Sequence, residues 1–352
     1  MCGRIPHVCG SVLRPLVLAL CLLLYGAAGA SAQEEPLQAS RHGEALALIP
    51  SGESARIELP GGRTLQATLP ERATVSSFAA LDGGWIAAGS FPDAATGRTR
   101  LFLLRGNDAS FRPLAEPPGQ EGSIRRRPVL LVDNGRLAGL AWLEGDGETS
   151  LSVRSAAWTD GRWQAPQRVS FPGPGSQMAL SGAVLDDGSW LLAWSAFDGT
   201  ADEIVWSRRA GGAWLPVRRV SARNSVPDIV PAVTATPGGG ALLAWSRYDG
   251  HGYQLRIARL ERGEWRDEHA AGPSGSLFPV FLGEADHPRL LYMDAYPRAW
   301  SVLDLDAEGR VRAKASVSSS FDRPVVSFAN GEVRMRWPDQ KAAAAARLEK
   351  VP

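Results

Sequence analysis

Arginines, carboxylates and tyrosines crowd a few short segments of this 352-residue chain. The densest are Arg125-Arg126-Arg127, Glu144-Gly145-Asp146-Gly147-Glu148, Phe197-Asp198-Gly199, Asn224 to Asp228, Arg247-Tyr248-Asp249-Gly250-His251, Asp294-Ala295-Tyr296-Pro297-Arg298 and Asp322-Arg323. A guanidinium can clamp a carboxylate or phosphate through two parallel hydrogen bonds, so the arginine run 125 to 127 could hold an anion or pair with neighbouring surface. Asp198 and Asp249 stand 51 residues apart and each precedes a glycine, which is equally the chemistry of a tight turn. Glu144, Asp146 and Glu148 alternate as calcium ligands might be asked to, but without a loop-ligand pattern they fit a solvated turn better. Asp304-x-Asp306-x-Glu308-Gly309 opens like a calcium loop, yet its twelfth position is Ala315. The histidines at 42, 251, 269 and 287 lack metal-ligand spacing, and no Gly-x-Ser-x-Gly elbow, phosphate loop or dinucleotide fingerprint occurs. Neither a metal nor a cofactor is expected.

The elements that must position these groups are set by a repeat. Gly188-Ser189-Trp190-Leu191-Leu192-Ala193-Trp194-Ser195 aligns with Gly240-Ala241-Leu242-Leu243-Ala244-Trp245-Ser246, and both align with Gly135 to Trp142. The tryptophans at 142, 194 and 245 are spaced 52 and 51; a second series, Phe111, Trp163, Trp214 and Trp265, holds spacings of 52, 51 and 51. Weaker copies of the first series continue at Tyr292 and Trp337. Within one unit the apolar runs are short and β-rich: Ala179 to Leu185, Trp190 to Ser195, Glu203 to Arg208 and Leu215 to Val220. Asp82-Gly83, Asn134-Gly135, Asp187-Gly188, Gly238-Gly239 and Asn330-Gly331 supply the positive φ that tight hairpins need.

A four-stranded antiparallel unit repeating every ~40 to 50 residues predicts a β-propeller. Units spanning 75–117, 128–170, 179–221, 231–271 and 279–317, and a short one at 324–350, predict six blades of an all-β ring. The N-terminal hairpin, 55–69, is expected to complete the last blade and so cover two strand edges. Most of the 12 Trp then belong to packing between blades and over hairpins.

Arg4 and Arg14, the apolar run Leu16 to Ala28 and the small-x-small triplet Ala30-Ser31-Ala32 have the order of a cleaved export signal, residues 1–32. Cys2, Cys9 and Cys21 all fall inside it, which removes disulfides and thiolate chemistry from the exported chain, residues 33–352. The protein is therefore expected in a periplasm or outside the cell, with no stable membrane insertion after cleavage. With 38 Lys+Arg against 37 Asp+Glu there is no basic field to hold a nucleic acid.

The layout of an apolar strand, a Leu-Leu-Ala-Trp-Ser strand, a polar strand and Gly-x-Trp resembles the Asp-box (BNR repeat) sialidase-like propellers. Ser207-x-Arg209-x-Gly211-x-x-Trp214 matches their Ser-x-Asp-x-Gly-x-x-Trp hairpin except for Arg in place of Asp. The resemblance implies a propeller and, if carried to chemistry, an exo-sialidase-like hydrolase. Arg127, Arg247 and Arg323 would clamp a carboxylate, Tyr296 would be the nucleophile, and Asp146 or Asp249 the acid/base. No full Phe-Arg-Ile-Pro motif is present; Arg126-Arg127-Pro128-Val129 and Asp322-Arg323-Pro324-Val325 are the similar strings.

Because strands alternate direction, the first-to-second and third-to-fourth turns share one rim, and the second-to-third turns share the other with the blade-to-blade connections. The charged segments collect on this second rim. Arg127, Asp198, Arg247, Tyr248, Asp249, His251, Asp294, Tyr296, Arg298 and Arg323 are thus the expected ligand contacts at the mouth of the channel. The leading expectation is a binding module for a glycan, peptide or envelope protein, with the hydrolase as its alternative.

Overall fold

The computed structural model describes residues 35–41, 44–147, 150–170, 177–283, 286–319, 322–338 and 343–351. The expected export signal lies outside the described residues, as does Glu148. The described residues fold as seven antiparallel sheets in chain order, an all-β propeller of seven blades and not six. The first strands are Leu37–Arg41, Thr74–Leu81, Ile124–Asp133, Gln177–Val184, Asp228–Thr236, Ser276–Leu282 and Val325–Ala329. First strands of blades 1 to 6 pack against one another in succession, so they line the axis. Among the described residues no helix is long and apolar enough to cross a membrane.

The miscount has a local cause. The hairpin expected to complete the last blade, Ser54–Glu58 and Thr64–Thr68, is the outer half of a blade of its own. Its inner half is Leu37–Arg41 and Glu44–Ser51, whose Leu46, Leu48 and Ile49 are buried. This blade fits into far less chain than the 51-residue period because its hairpins are tight, one of them turning at Gly52 with φ 60°. Among the described residues blade 7 has three strands: Val325–Ala329, Glu332–Arg336 and Ala344–Arg347.

Strand exchange does not close the ring; side chains do. The Gln38 amide donates to Val326 O (2.7 Å) and accepts from Val326 N (2.8 Å), standing in for a ladder pair between blades 1 and 7. Arg336 pairs with Glu58, and Ala47, Ile49 and Val325 pack across the joint. The chain end, Glu349–Lys350, instead adds to the outer edge of blade 6 by pairing Ala313 and Lys314.

Apolar clusters lie between blades, each combining two neighbours. Leu191, Ala193 and Trp206 of blade 4 meet Leu243, Trp245 and Leu260 of blade 5. Trp142, Trp194, Trp245 and Tyr292 on second strands, and Trp337 just past the second strand of blade 7, face the preceding blade, which is the packing role the repeat assigned to the aromatic series.

Candidate functional site

The second rim is positioned by a bulge that the period does not reveal. In blades 3 to 6 the first strand sets two residues against one of the second strand: Arg127-Pro128 against Trp142, Ala179-Leu180 against Trp194, Val230-Pro231 against Trp245, and Phe278-Pro279 against Tyr292. The first residue of each pair is left-handed, with φ of 51°, 49°, 53° and 56°. Such a conformation costs about 1–3 kcal/mol in a residue other than glycine and persists only where the surroundings impose it. Proline fits beside it because the ladder is already interrupted there. The shared Arg-Pro strings at 127–128 and 323–324 thus mark equivalent places, the second standing just before the first strand of blade 7.

Beneath the bulges runs a buried polar layer. Trp142 donates its indole N–H to Glu144 Oε2 (2.7 Å), Trp194 to Gln177 Oε1 (2.5 Å), Trp245 to Asp228 Oδ1 (3.0 Å) and Trp337 to Asp322 O (2.7 Å). Blade 5 extends its cap into a network. Asp228, 1% exposed, receives Arg247 Nε (2.7 Å) and Nη2 (2.8 Å), while Arg247 Nη1 reaches Glu268 Oε1 (2.5 Å). Glu268 also accepts from Arg256 Nη2 (2.9 Å) and Ser221 Oγ (2.7 Å). Burial opposes the Arg247 charge, but Asp228 and Glu268 hold the guanidinium above its ordinary range. Burial likewise works against Glu268, whose hydrogen bond from Ser221 and neighbours Arg247 and Arg256 keep it below the usual carboxylate range. Blade 4 carries the opposite case: burial, then the nearby Asp198, pushes half-buried Asp202 up to about 6. Burial also raises the carboxyl of Glu203, which accepts from Asn224 N (3.3 Å).

The rim loops are fixed by their own carboxylates. Asp198 Oδ1 accepts from Thr200 N (2.9 Å) and Ala201 N (3.3 Å), and Oδ2 pairs with Arg219 (3.1 Å) and Arg223 (3.0 Å). Asp249 Oδ1 accepts from His251 N and Gly252 N, both at 2.9 Å, and these backbone donors hold its pKa down. Tyr248 stays 36% exposed and donates to Gly250 O (3.1 Å); His251 is exposed beside it. Tyr296 is 88% exposed, and Arg298 Nη2 pairs with Asp322 Oδ1 (3.3 Å).

The remaining expected residues lie apart in role. Asp294 is buried, taking Ser301 Oγ (2.7 Å), Ser276 Oγ (3.2 Å) and Lys314 Nζ (3.5 Å). Arg323 pairs with Glu35 (2.8 Å) where the chain ends meet. Asp146 is exposed, its carbonyl facing Arg98 Nη1 at 3.5 Å. Arg127 sits in the blade 3 bulge. Arg247, Tyr248, Asp249 and His251 therefore form one group on blade 5, and Asp294, Tyr296 and Arg298 another on blade 6. Sequence reasoning missed Asp228, Glu268, Arg256 and Ser221. Spacing could have found part of the layer, since Gln177 and Asp228 each stand 17 residues before the indole they cap. Among the described residues no group of three or more His, Cys, Asp or Glu could hold a metal ion.

The hairpin that resembles an Asp-box lies between the third and fourth strands of blade 4. Ser207 Oγ donates to Leu215 O (2.6 Å), Trp214 Nε1 donates to Ser155 Oγ of blade 3 (2.8 Å), and the Arg209 guanidinium lies 4.4 Å from the Trp190 ring centroid.

Comparison with known proteins bears on the fold. No protein-family model matches the chain, and no curated protein matches it. Among solved structures, the polysaccharide lyase Uly1 aligns at a TM-score of 0.54 and 11% identity over 91% of both chains. A puromycin-hydrolyzing peptidase from Mycobacterium tuberculosis aligns at 0.53 and 14% identity, over 92% of this chain and 53% of that one. A lectin from Burkholderia pseudomallei aligns at 0.48 and 16% identity, over 83% of this chain and 80% of that one. The chain is a β-propeller. At these identities the likeness extends to the fold and stops there.

Proposed function

We propose that the protein is an exported binding propeller whose second rim, at blades 5 and 6, holds a glycan. One observation carries this reading: the exposed rings of Tyr248 and Tyr296 stand on the same rim as turns and ion pairs already fixed by Asp249 and Asp322. An exposed aromatic face stacks on the C–H face of a sugar, and preformed polar loops meet its hydroxyls without a further ordering cost. A peptide or envelope protein is the alternative occupant of the same rim. Residues 1–32 would direct export, and the hairpin Ser207 to Trp214 supports a place beside the Asp-box propellers.

Binding is favoured over sialidase-like hydrolysis by the state of the arginines. Arg247 is fully engaged by Asp228, Glu268 and Ser221, and Arg323 is paired with Glu35, so a clamp built on them would first have to break buried or half-buried pairs. The test is a glycan array probed with the purified chain and with a Tyr248→Ala/Tyr296→Ala double variant. The expected result is capture by the parent and at least a tenfold loss in the variant. Capture of no glycan by the parent, or equal capture by both, overturns the reading.

A further inference from the structure

Of the five positions in the repeated series 142, 194, 245, 292 and 337, four hold tryptophan with its N–H capped; the fifth, in blade 6, holds Tyr292. Tyr292 is 0% exposed, and its hydroxyl, beside Lys314 and Ser301, closes no well-formed hydrogen bond. At this same seam a cleft of about 740 Å³ opens between the outer strand of blade 5 and the outer half of blade 6. Its volume is that of a small-molecule site.

The cleft divides into a polar end and an apolar wall. Tyr292 and Lys314 lie together, with the ammonium 5.4 Å from the ring centroid, and Arg310 lines the cleft with them. Lys314 is half-buried; burial disfavours its charge, but the Tyr292 hydroxyl and Asp294 hold the ammonium above its ordinary range. Ala271, Leu303, Val311 and Val351 supply the apolar wall. Val351 is placed there by the chain end, its N–H bonding Arg312 O at 3.1 Å.

Two carboxylates, Asp267 and Glu268, and two cations, Arg310 and Lys314, line the cleft, and the carboxylates are already paired. Asp267 is answered by Arg259 Nε (2.5 Å), and Glu268 by Arg247 and Arg256. Asp294 already takes two serine hydroxyls besides Lys314, whose Nζ stands 3.5 Å away. Among the described residues no ion pair engages the Arg310 guanidinium, which is exposed. A phenol without an acceptor, an ammonium loosely paired and an unengaged guanidinium converge on a half-apolar cavity. We propose that the cleft between blades 5 and 6 is a second ligand site, distinct from the rim, which takes a small organic carboxylate: Tyr292, Lys314 and Arg310 receive the anion, and the apolar wall receives its hydrocarbon body.

Titration calorimetry with phenylacetate, and with the neutral phenylacetamide as its control, tests the site on the full chain. The expected outcome is saturable binding of phenylacetate with the amide at least tenfold weaker. Lys314→Met should abolish that binding, and exposed Arg310→Ala should weaken it severalfold without disturbing a buried group. The rim variant Tyr248→Ala/Tyr296→Ala should bind phenylacetate as the parent does, so loss of the rim reading leaves this one standing. No saturable binding, equal binding of the amide, or a parent-like Arg310→Ala together with a folded, parent-like Lys314→Met overturns the proposal.

Discussion

The seam between blades 4 and 5 and the seam between blades 5 and 6 are built from the same parts. Each buries an aromatic side chain of a second strand, Trp245 or Tyr292, opposite a bulge whose first residue is left-handed, and each packs it on the preceding blade. At the first seam the indole of Trp245 is capped by Asp228, which also anchors Arg247, although Ser246 Oγ and the Trp265 N–H nearby lack partners. At the second the smaller ring leaves its hydroxyl short of a well-formed hydrogen bond beside an open cleft. A repeat fixes where a side chain goes; one substitution within it decides whether the place is filled or available.

The largest effect expected from breaking the closed seam is that of Trp245→Ala. Removing a fully buried indole forfeits its transfer energy and leaves a cavity, a loss of about 4 kcal/mol in urea unfolding. A loss under about 1 kcal/mol would show that the seam collapses freely and is not tighter than its neighbour. Asp228→Ala comes next, at about 3 kcal/mol, because it strips the partner from a half-buried guanidinium and from an indole N–H at once. If Asp228→Asn costs as much as the alanine, the charge matters more than the hydrogen bonds. The smallest effect belongs to the open seam: Tyr292→Phe should change stability by no more than about 0.5 kcal/mol, since the hydroxyl it deletes makes no well-formed hydrogen bond. A cost above about 1.5 kcal/mol would reveal a partner for that hydroxyl and dissolve the contrast between the seams.

The blade pattern was legible because hairpin glycines and tryptophans recur at a fixed distance, and five first strands begin within a few residues of where the period places them. Blade 1 was not. Its strands Leu37–Arg41 and Glu44–Ser51 lack the Trp and the Leu-Leu-Ala-Trp pattern, so nothing in the repeat pointed to them. The outer strands of blades 3 and 4 also came out differently, each split in two short pieces around Pro166 and Pro216, which cannot donate to a ladder. At the rim, the turn-forming role weighed for Asp198 and Asp249 is the one their hydrogen bonds show, each carboxylate accepting two backbone N–H groups. The partners of Arg247 were out of reach, because Ser221 of the preceding connection, Asp228 of the first strand and Glu268 of the fourth strand meet it only once the sheet is closed.

By itself, then, the sequence determined the class of fold, because that depends on local periodicity: hairpin residues need their φ and strands need their alternation. Tertiary structure alone decided the number of blades, the side-chain closure through Gln38, and which polar groups are engaged or unpartnered. Those depend on pairs of residues as much as 288 positions apart, and no local pattern encodes which distant atom completes a hydrogen bond.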